Sequence, residues 1–195
     1  MRREKTNRRL AGVAIAVAAV GFSLITSASA SAETGSAEGI DVTISAQDPT
    51  TLRPGGAPMR FTVTLANTTT TDNPAVGLVV SLGHCSCSPS PVKMMPAGSM
   101  LMLNPATNVW QAVPYVAEGG GTDFLGRTVV APFALAHGQT ATYQLEVQLA
   151  ADHEAAIGSG ESSVDVTVTN PATNTALGHS PTTSLPITVE PDPSR

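Results

Sequence analysis

Basic residues, aromatic residues and cysteines are all scarce in this chain, and each scarcity removes a class of function. Of ten Lys and Arg residues, five crowd into the first nine positions (Arg2, Arg3, Lys5, Arg8 and Arg9). Beyond residue 32, Arg53, Arg60, Lys93, Arg127 and Arg195 stand against fourteen carboxylates, a net charge of −9. Phosphate backbones and anionic lipid repel such a surface, so no nucleic acid or membrane-surface partner is expected. Aromatics make up 4% of the sequence, and beyond the leader they are Trp110, Tyr115, Tyr143 and three Phe. Trp110 lies between Val109 and Ala112-Val113, where a core anchor is expected, so no stacking platform for a sugar is foreseen. Catalytic motifs are missing too. There is no Gly-x-Ser-x-Gly elbow and no His-Glu-x-x-His, while His137, His153 and His179 fall in turns or polar segments. No enzymatic activity is expected.

Long apolar runs are limited to one, Leu10–Ile25, which follows the basic start. Ala28-Ser29-Ala30 and Ala30-Ser31-Ala32 close it with the small residues a signal peptidase reads. Residues 1–32 are therefore expected to be a secretory signal, cleaved after Ala30 or Ala32, with the mature protein secreted and free of the membrane. No Cys lies near the cleavage sites for a lipid anchor. Leu185-Pro186-Ile187-Thr188-Val189 lacks both the glycine and the tail of a wall-sorting signal. The rest divides into a flexible segment at 33–38, one domain at 39–190 and a flexible tail at 191–195.

What is present is period two. Met59, Phe61, Val63 and Leu65 alternate with Arg60, Thr62, Thr64 and Ala66. Tyr143, Leu145, Val147 and Leu149 alternate with Gln144, Glu146 and Gln148, and Val164, Val166 and Val168 with Asp165, Thr167 and Thr169. Such spacing sends one set of side chains to a buried sheet face and the other to water. Weaker alternation marks Ile40–Ala46, Val76–Leu82 and Leu185–Val189, and Val109–Val116 and Arg127–Leu135 add candidates. Turn residues separate these runs, and Asn104-Pro105-Ala106-Thr107-Asn108 recurs word for word at Asn170–Asn174. A single helical turn is expected at Asp152–Ile157. Seven to nine short strands with turns between them predict an all-β, antiparallel sandwich.

Leu52-Arg53-Pro54-Gly55-Gly56 followed by Phe61–Thr69, a proline-glycine turn leading into a strand that ends in Asn67, resembles the immunoglobulin-like modules of exported bacterial proteins. CARDB-type envelope modules open this way, and the later Asn108–Val113 and Leu135–Leu149 stretches resemble exported actinobacterial proteins with one such module. The resemblance implies an adhesive or spacer fold that meets an unidentified protein or envelope partner. It brings no catalytic residues and no cofactor.

One segment could carry chemistry. His84-Cys85-Ser86-Cys87, Met94-Met95, Met100 and Met102 collect both cysteines and four of the five later methionines within residues 84–102. Outside the cytosol a Cys85–Cys87 disulfide is expected. It requires a bent backbone, because an extended i, i+2 pair sits roughly 6.5 Å apart, near the limit for a bridge. Free or intermolecular thiols are one alternative. The other is a copper site using His84, Cys85, Cys87, Met94 and Met95, since thiolate and thioether select Cu(I). Asp152, Glu154 and Glu161 read as a solvated acidic loop rather than a calcium site.

Overall fold

The computed structural model of the chain describes residues 31–46, 49–83, 98–113, 115–116, 125–126, 132–151, 159–173, 175–177 and 182–191. Among these residues the chain forms fourteen strands and no helix. They are β1 (Ser31–Ala37), β2 (Ile40–Ala46), β3 (Thr51–Leu52), β4 (Met59–Asn67), β5 (Asn73–Leu82), β6 (Gly98–Asn104) and β7 (Val109–Ala112). Then come β8 (Tyr115–Val116), β9 (Leu125–Gly126), β10 (Phe133–Leu135), β11 (Thr140–Leu149), β12 (Gly160–Asn170), β13 (Thr175–Ala176) and β14 (Thr182–Val189). A six-stranded sheet runs β1-β2-β4-β11-β6-β7. An eight-stranded sheet runs β3-β14-β12-β5-β9-β8, with β10 on β5 and β13 on β12. Every strand pairing is antiparallel except β14 with β3.

The alternation produces this arrangement directly. Strand β4 is buried at every odd residue from Met59 to Asn67, and β14 at Thr183, Leu185, Ile187 and Val189. Of the eleven side chains that the three clean alternations place inward, ten are buried, and Tyr143 is partly buried against the same cluster. Val42, Phe61 and Leu145 of one sheet share that cluster with Leu78, Val166 and Leu185 of the other. Two sheets therefore close over one apolar core, where each fully buried aliphatic side chain contributes about 1.5–3 kcal/mol.

The strand count exceeds the seven to nine expected. Three of the extra strands (β3, β9 and β13) are two residues long, too short for any period to register, and β8 arises because the stretch expected as one strand at Val109–Val116 is divided between the two sheets as β7 and β8. The fifth surprise is β1. Residues 33–37, expected as flexible, pair with β2 in a seven-residue register from Ser31–Ala46 to Ala37–Ile40. Its sequence, Ser-Ala-Glu-Thr-Gly-Ser-Ala, has no apolar alternation to betray it. Glu38 and Gly39 close this hairpin with φ of 48° and 78°, the left-handed pair of a two-residue turn that matches strand twist. The helical turn expected at Asp152–Ile157 lies outside the described residues, as do cleavage site Ala30 and tail residues 192–195. Ala32, the other cleavage residue, is paired with Ser45.

Strand β1 also reaches the second sheet. A Cβ on Gly35 would overlap Thr183 Oγ1 of β14, a buried hydroxyl with no hydrogen-bond partner. Gly35→Val should therefore push β1 off β14 and lower stability by about 1–3 kcal/mol, as overpacking does. Chemical denaturation of the two proteins would read this as a lower midpoint at unchanged slope.

Three local devices fix the ends of strands. Asn104 Oδ1 accepts from Ala106 N at 2.9 Å and Thr107 N at 3.3 Å, and Asn170 Oδ1 from Ala172 N at 2.9 Å. The repeated pentapeptide is thus one Asx-type turn used twice, with Asn108 at φ 54° in the first copy. The third device is Asn67, which is 2% exposed. Its Nδ2 donates to Thr71 O and Leu135 O, both at 2.9 Å. Its Oδ1 accepts from Thr69 N at 3.0 Å and Thr69 Oγ1 at 2.7 Å.

Tyr143 meets Phe133 edge to face, ring centroids 5.9 Å apart. Burial raises its phenol pKa above 10.0. The folded state thus holds its proton to higher pH than the unfolded chain does, and stability is lost as pH rises from the unfolded value towards the folded one. An absorbance titration should show a late tyrosine ionisation, and Tyr143→Phe should remove it.

Candidate binding face around Arg60 and Trp110

The sequence-derived candidates separate. His84, Cys85, Cys87, Met94, Met95, Asp152, Glu154, His153 and His179 lie outside the described residues. Met100 is core and Met102 packs on the core, opposite Val147 and Leu145 respectively. His137 occupies a turn, its backbone N–H donating to Asp72 Oδ1 at 2.8 Å and its Nδ1 contacting Thr69 O. Among the described residues, no three His, Cys, Asp or Glu side chains converge as metal ligands.

What the structure gathers instead is a group on the outer face of the six-stranded sheet. Arg60 leaves β4 on the outward phase and lies directly across from Glu146 of β11, because Phe61 and Leu145 must both face the core. Arg60 Nε donates to Glu146 Oε2 at 3.1 Å. The side chains are unequal: Arg60 is 65% exposed and Glu146 only 12%, so the carboxylate lies beneath the guanidinium. That guanidinium rests 5.4 Å from the centroid of the Trp110 ring, within cation–π range.

Trp110 corrects an expectation. It is not a core anchor. In the β6–β7 register it lies opposite Leu103, and Met100 and Met102 have already taken the inward phase of β6. Leu101 and Leu103 consequently turn outward, half-buried, beside the indole. The apolar run Met100–Leu103 thus serves two faces at once.

Two shallow recesses flank Arg60. One, about 420 Å³, is lined by Ser45, Thr62, Gln144 and Trp110 as well as Arg60. The other, about 540 Å³, runs from Arg60 past Met59, Pro58 and Gly56 to Arg53 and Pro49. The floor of the second is pinned. Gly55 N donates to Leu149 O at 3.0 Å, Gly56 N to Arg53 O at 2.9 Å, and Gln148 Nε2 to Gly56 O at 2.7 Å. Gly55 has φ 68°, which makes glycine the residue for that turn. Arg53 itself pairs with Glu190.

Both ion pairs are exposed on the arginine side, so each is worth at most about 1 kcal/mol. Arg60→Gln should therefore leave the melting temperature within a few degrees of the parent, by calorimetry. The arginines are spare in another sense. Among the described residues, Arg60 engages only Nε with Glu146 and Arg53 only Nε and Nη2 with Glu190, which leaves the other guanidinium N–H groups of both without a protein partner.

Only part of this group carried a sequence signal. Arg60 and Glu146 are on the outward phase of two clean alternations, but their meeting depends on β4 pairing with β11. Trp110 gave the opposite signal, because its apolar neighbours suggested burial.

In sequence, no protein family and no curated protein matches this chain. Among solved structures, it is similar to AvmM, which catalyzes macrocyclization in alchivemycin A biosynthesis, at a TM-score of 0.50 and 10% identity. That match covers 80% of this chain and 92% of AvmM. A second, to the alkylpurine DNA glycosylase AlkC of Pseudomonas fluorescens bound to DNA containing an abasic site analog, has a TM-score of 0.39 and 15% identity. It covers 73% of this chain and 28% of AlkC. The likeness to AvmM is one of fold alone.

Proposed function

We propose that this chain is exported, loses its leader after Ala30 or Ala32, and works outside the cell as an immunoglobulin-like module without catalytic activity. Its task is to hold an extracellular or envelope partner against the outer face of the six-stranded sheet. One observation carries the proposal: Trp110 stacks with Arg60 of the Arg60–Glu146 pair, with Leu101 across from Glu146 and Leu103 across from Trp110. An indole turned outward from a sheet is not spent on the core, and Trp and Arg are the residues that dominate binding surfaces. The basic start and Ala-x-Ala sites support export, and the shared core of two sheets supports a sandwich of this class.

The test is fractionation of the producing cells into cytosol, envelope and medium, with intact-mass measurement of the protein in each. The expected result is a processed chain outside the cytosol that stays with the envelope. Arg60→Gln and Trp110→Ala should each shift it into the medium. An unprocessed chain in the cytosol would overturn the export reading, and an unchanged distribution of both variants would overturn the role of this face.

A further inference from the structure

We propose that the groove on either side of Arg60 binds an acidic saccharide, a short chain of uronate-type sugars. The inference rests on the reading of this face as the binding surface and names its ligand class.

Charge is the first ground. Beyond the leader the chain has five basic residues against fourteen acidic ones, yet two of the five, Arg53 and Arg60, line one continuous recess. Each is held from one side by its own glutamate, which fixes the guanidinium and leaves N–H donors over for a visitor. Such a planar fork recognises a carboxylate by paired, charge-assisted hydrogen bonds. A ligand with negative groups spaced along it would meet Arg60 and then Arg53.

The second ground is the mixed character of the other wall. Trp110 supplies an apolar surface, and Ser45, Thr62 and Gln144 supply two hydroxyls and an amide, each able to donate and accept. A pyranose ring has that pairing of properties, with C–H groups on one side and hydroxyls around its rim. Each recess is of the size that holds a small ligand.

The third ground disfavours an acidic peptide. A peptide is held chiefly through its main chain, by an open strand edge. Arg60, Thr62 and Gln144 stand on β4 and β11, central strands whose backbones are already paired on both sides. At these three positions the surface offers side chains, and the edge strand of the sheet, β7, contributes the Trp110 wall. The net charge of −9 opposes any long polyanion, so the ligand is a short chain that meets only the two arginines.

The experiment is titration calorimetry of the exported, processed protein at low salt. The probes are tetragalacturonate, tetramannuronate, the methyl ester of tetragalacturonate, and a polyglutamate of equal charge. At least one uronate should bind, with the ester and the polyglutamate at least tenfold weaker. Arg60→Gln should bring uronate binding down to the level of the ester. Trp110→Ala should weaken uronate and ester alike by tenfold or more, with unchanged circular dichroism and melting temperature showing that both variants fold. Failure of both uronates to bind, equal binding of polyglutamate, or indifference to both substitutions would overturn the proposal. If both substitutions release the protein from the envelope yet neither uronate binds, the face stands and the ligand class falls. If the envelope distribution is also unchanged, both fall.

Discussion

Asn67→Ala should lower the unfolding free energy by about 3–5 kcal/mol. The reason is the number of groups it serves. Nδ2 caps the carbonyls of Thr71 and Leu135, and Oδ1 holds the backbone and hydroxyl of Thr69. The main chain of Asn67 is engaged as well, donating to Gln139 O and accepting from Gly138 N, both at 3.0 Å. One side chain thus ties the end of β4 to the loop before β5 and to the end of β10. Alanine would leave the Leu135 carbonyl buried without its donor, and each such orphan costs about 1–3 kcal/mol. Asn67→Asp separates the halves of the network. It keeps the acceptor for Thr69, loses both donors and brings a charge to a position 2% exposed, so it should be at least as damaging as alanine. Urea unfolding of the three proteins would show it. An alanine midpoint indistinguishable from the parent would mean that water replaces the amide at no cost.

The second large effect belongs to the apolar interior. Leu145 is fully buried, between Phe61 on β4 and Met102 on β6. Leu145→Ala removes three carbons from the middle of three adjacent strands, where paired backbones limit collapse around the void. The expected loss is about 2–5 kcal/mol, or roughly 5–15 °C in melting temperature for a domain of this size. Leu145→Met keeps the volume and should cost under about 1.5 kcal/mol. Calorimetry of the pair distinguishes a cavity from a change of side-chain chemistry. Similar losses for both would mean that shape, rather than volume, governs this site.

These two residues differ in how plainly the sequence announces them. Leu145 stands in a strict alternation, and a buried sheet face demands that pattern, so its place in the core was legible from residue types alone. The same holds for Val164, Val166 and Val168. Turn chemistry was legible at Asn104 and Asn170, because the Asx geometry is local. The role of Asn67 was not. Its contacts to Thr69 and Thr71 are local turn chemistry, but the bond to Leu135 joins residues 68 positions apart, which no local rule gives. Strand β1 escaped for a different reason: its side chains are small or polar, and it is held by backbone pairing and by the close approach of Gly35 to Thr183. Trp110 was misplaced because local hydrophobicity gives no information on which side of a sheet a residue falls. Once β6 commits Met100 and Met102 to the core, its register with β7 decides the matter.

The long pairings have a consequence for timing. In the central ladder Ala66 lies opposite Thr140 and Met59 opposite Val147, while at the far edge of the other sheet Leu52 pairs with Val189. The six-stranded sheet cannot be completed until β11 is available, and the eight-stranded sheet not until β14 is. All-β domains dominated by such distant contacts fold in milliseconds to seconds, orders of magnitude more slowly than helical bundles. For a chain proposed to be exported, that slowness leaves time to leave the cell before folding is complete. The topology itself delays compaction.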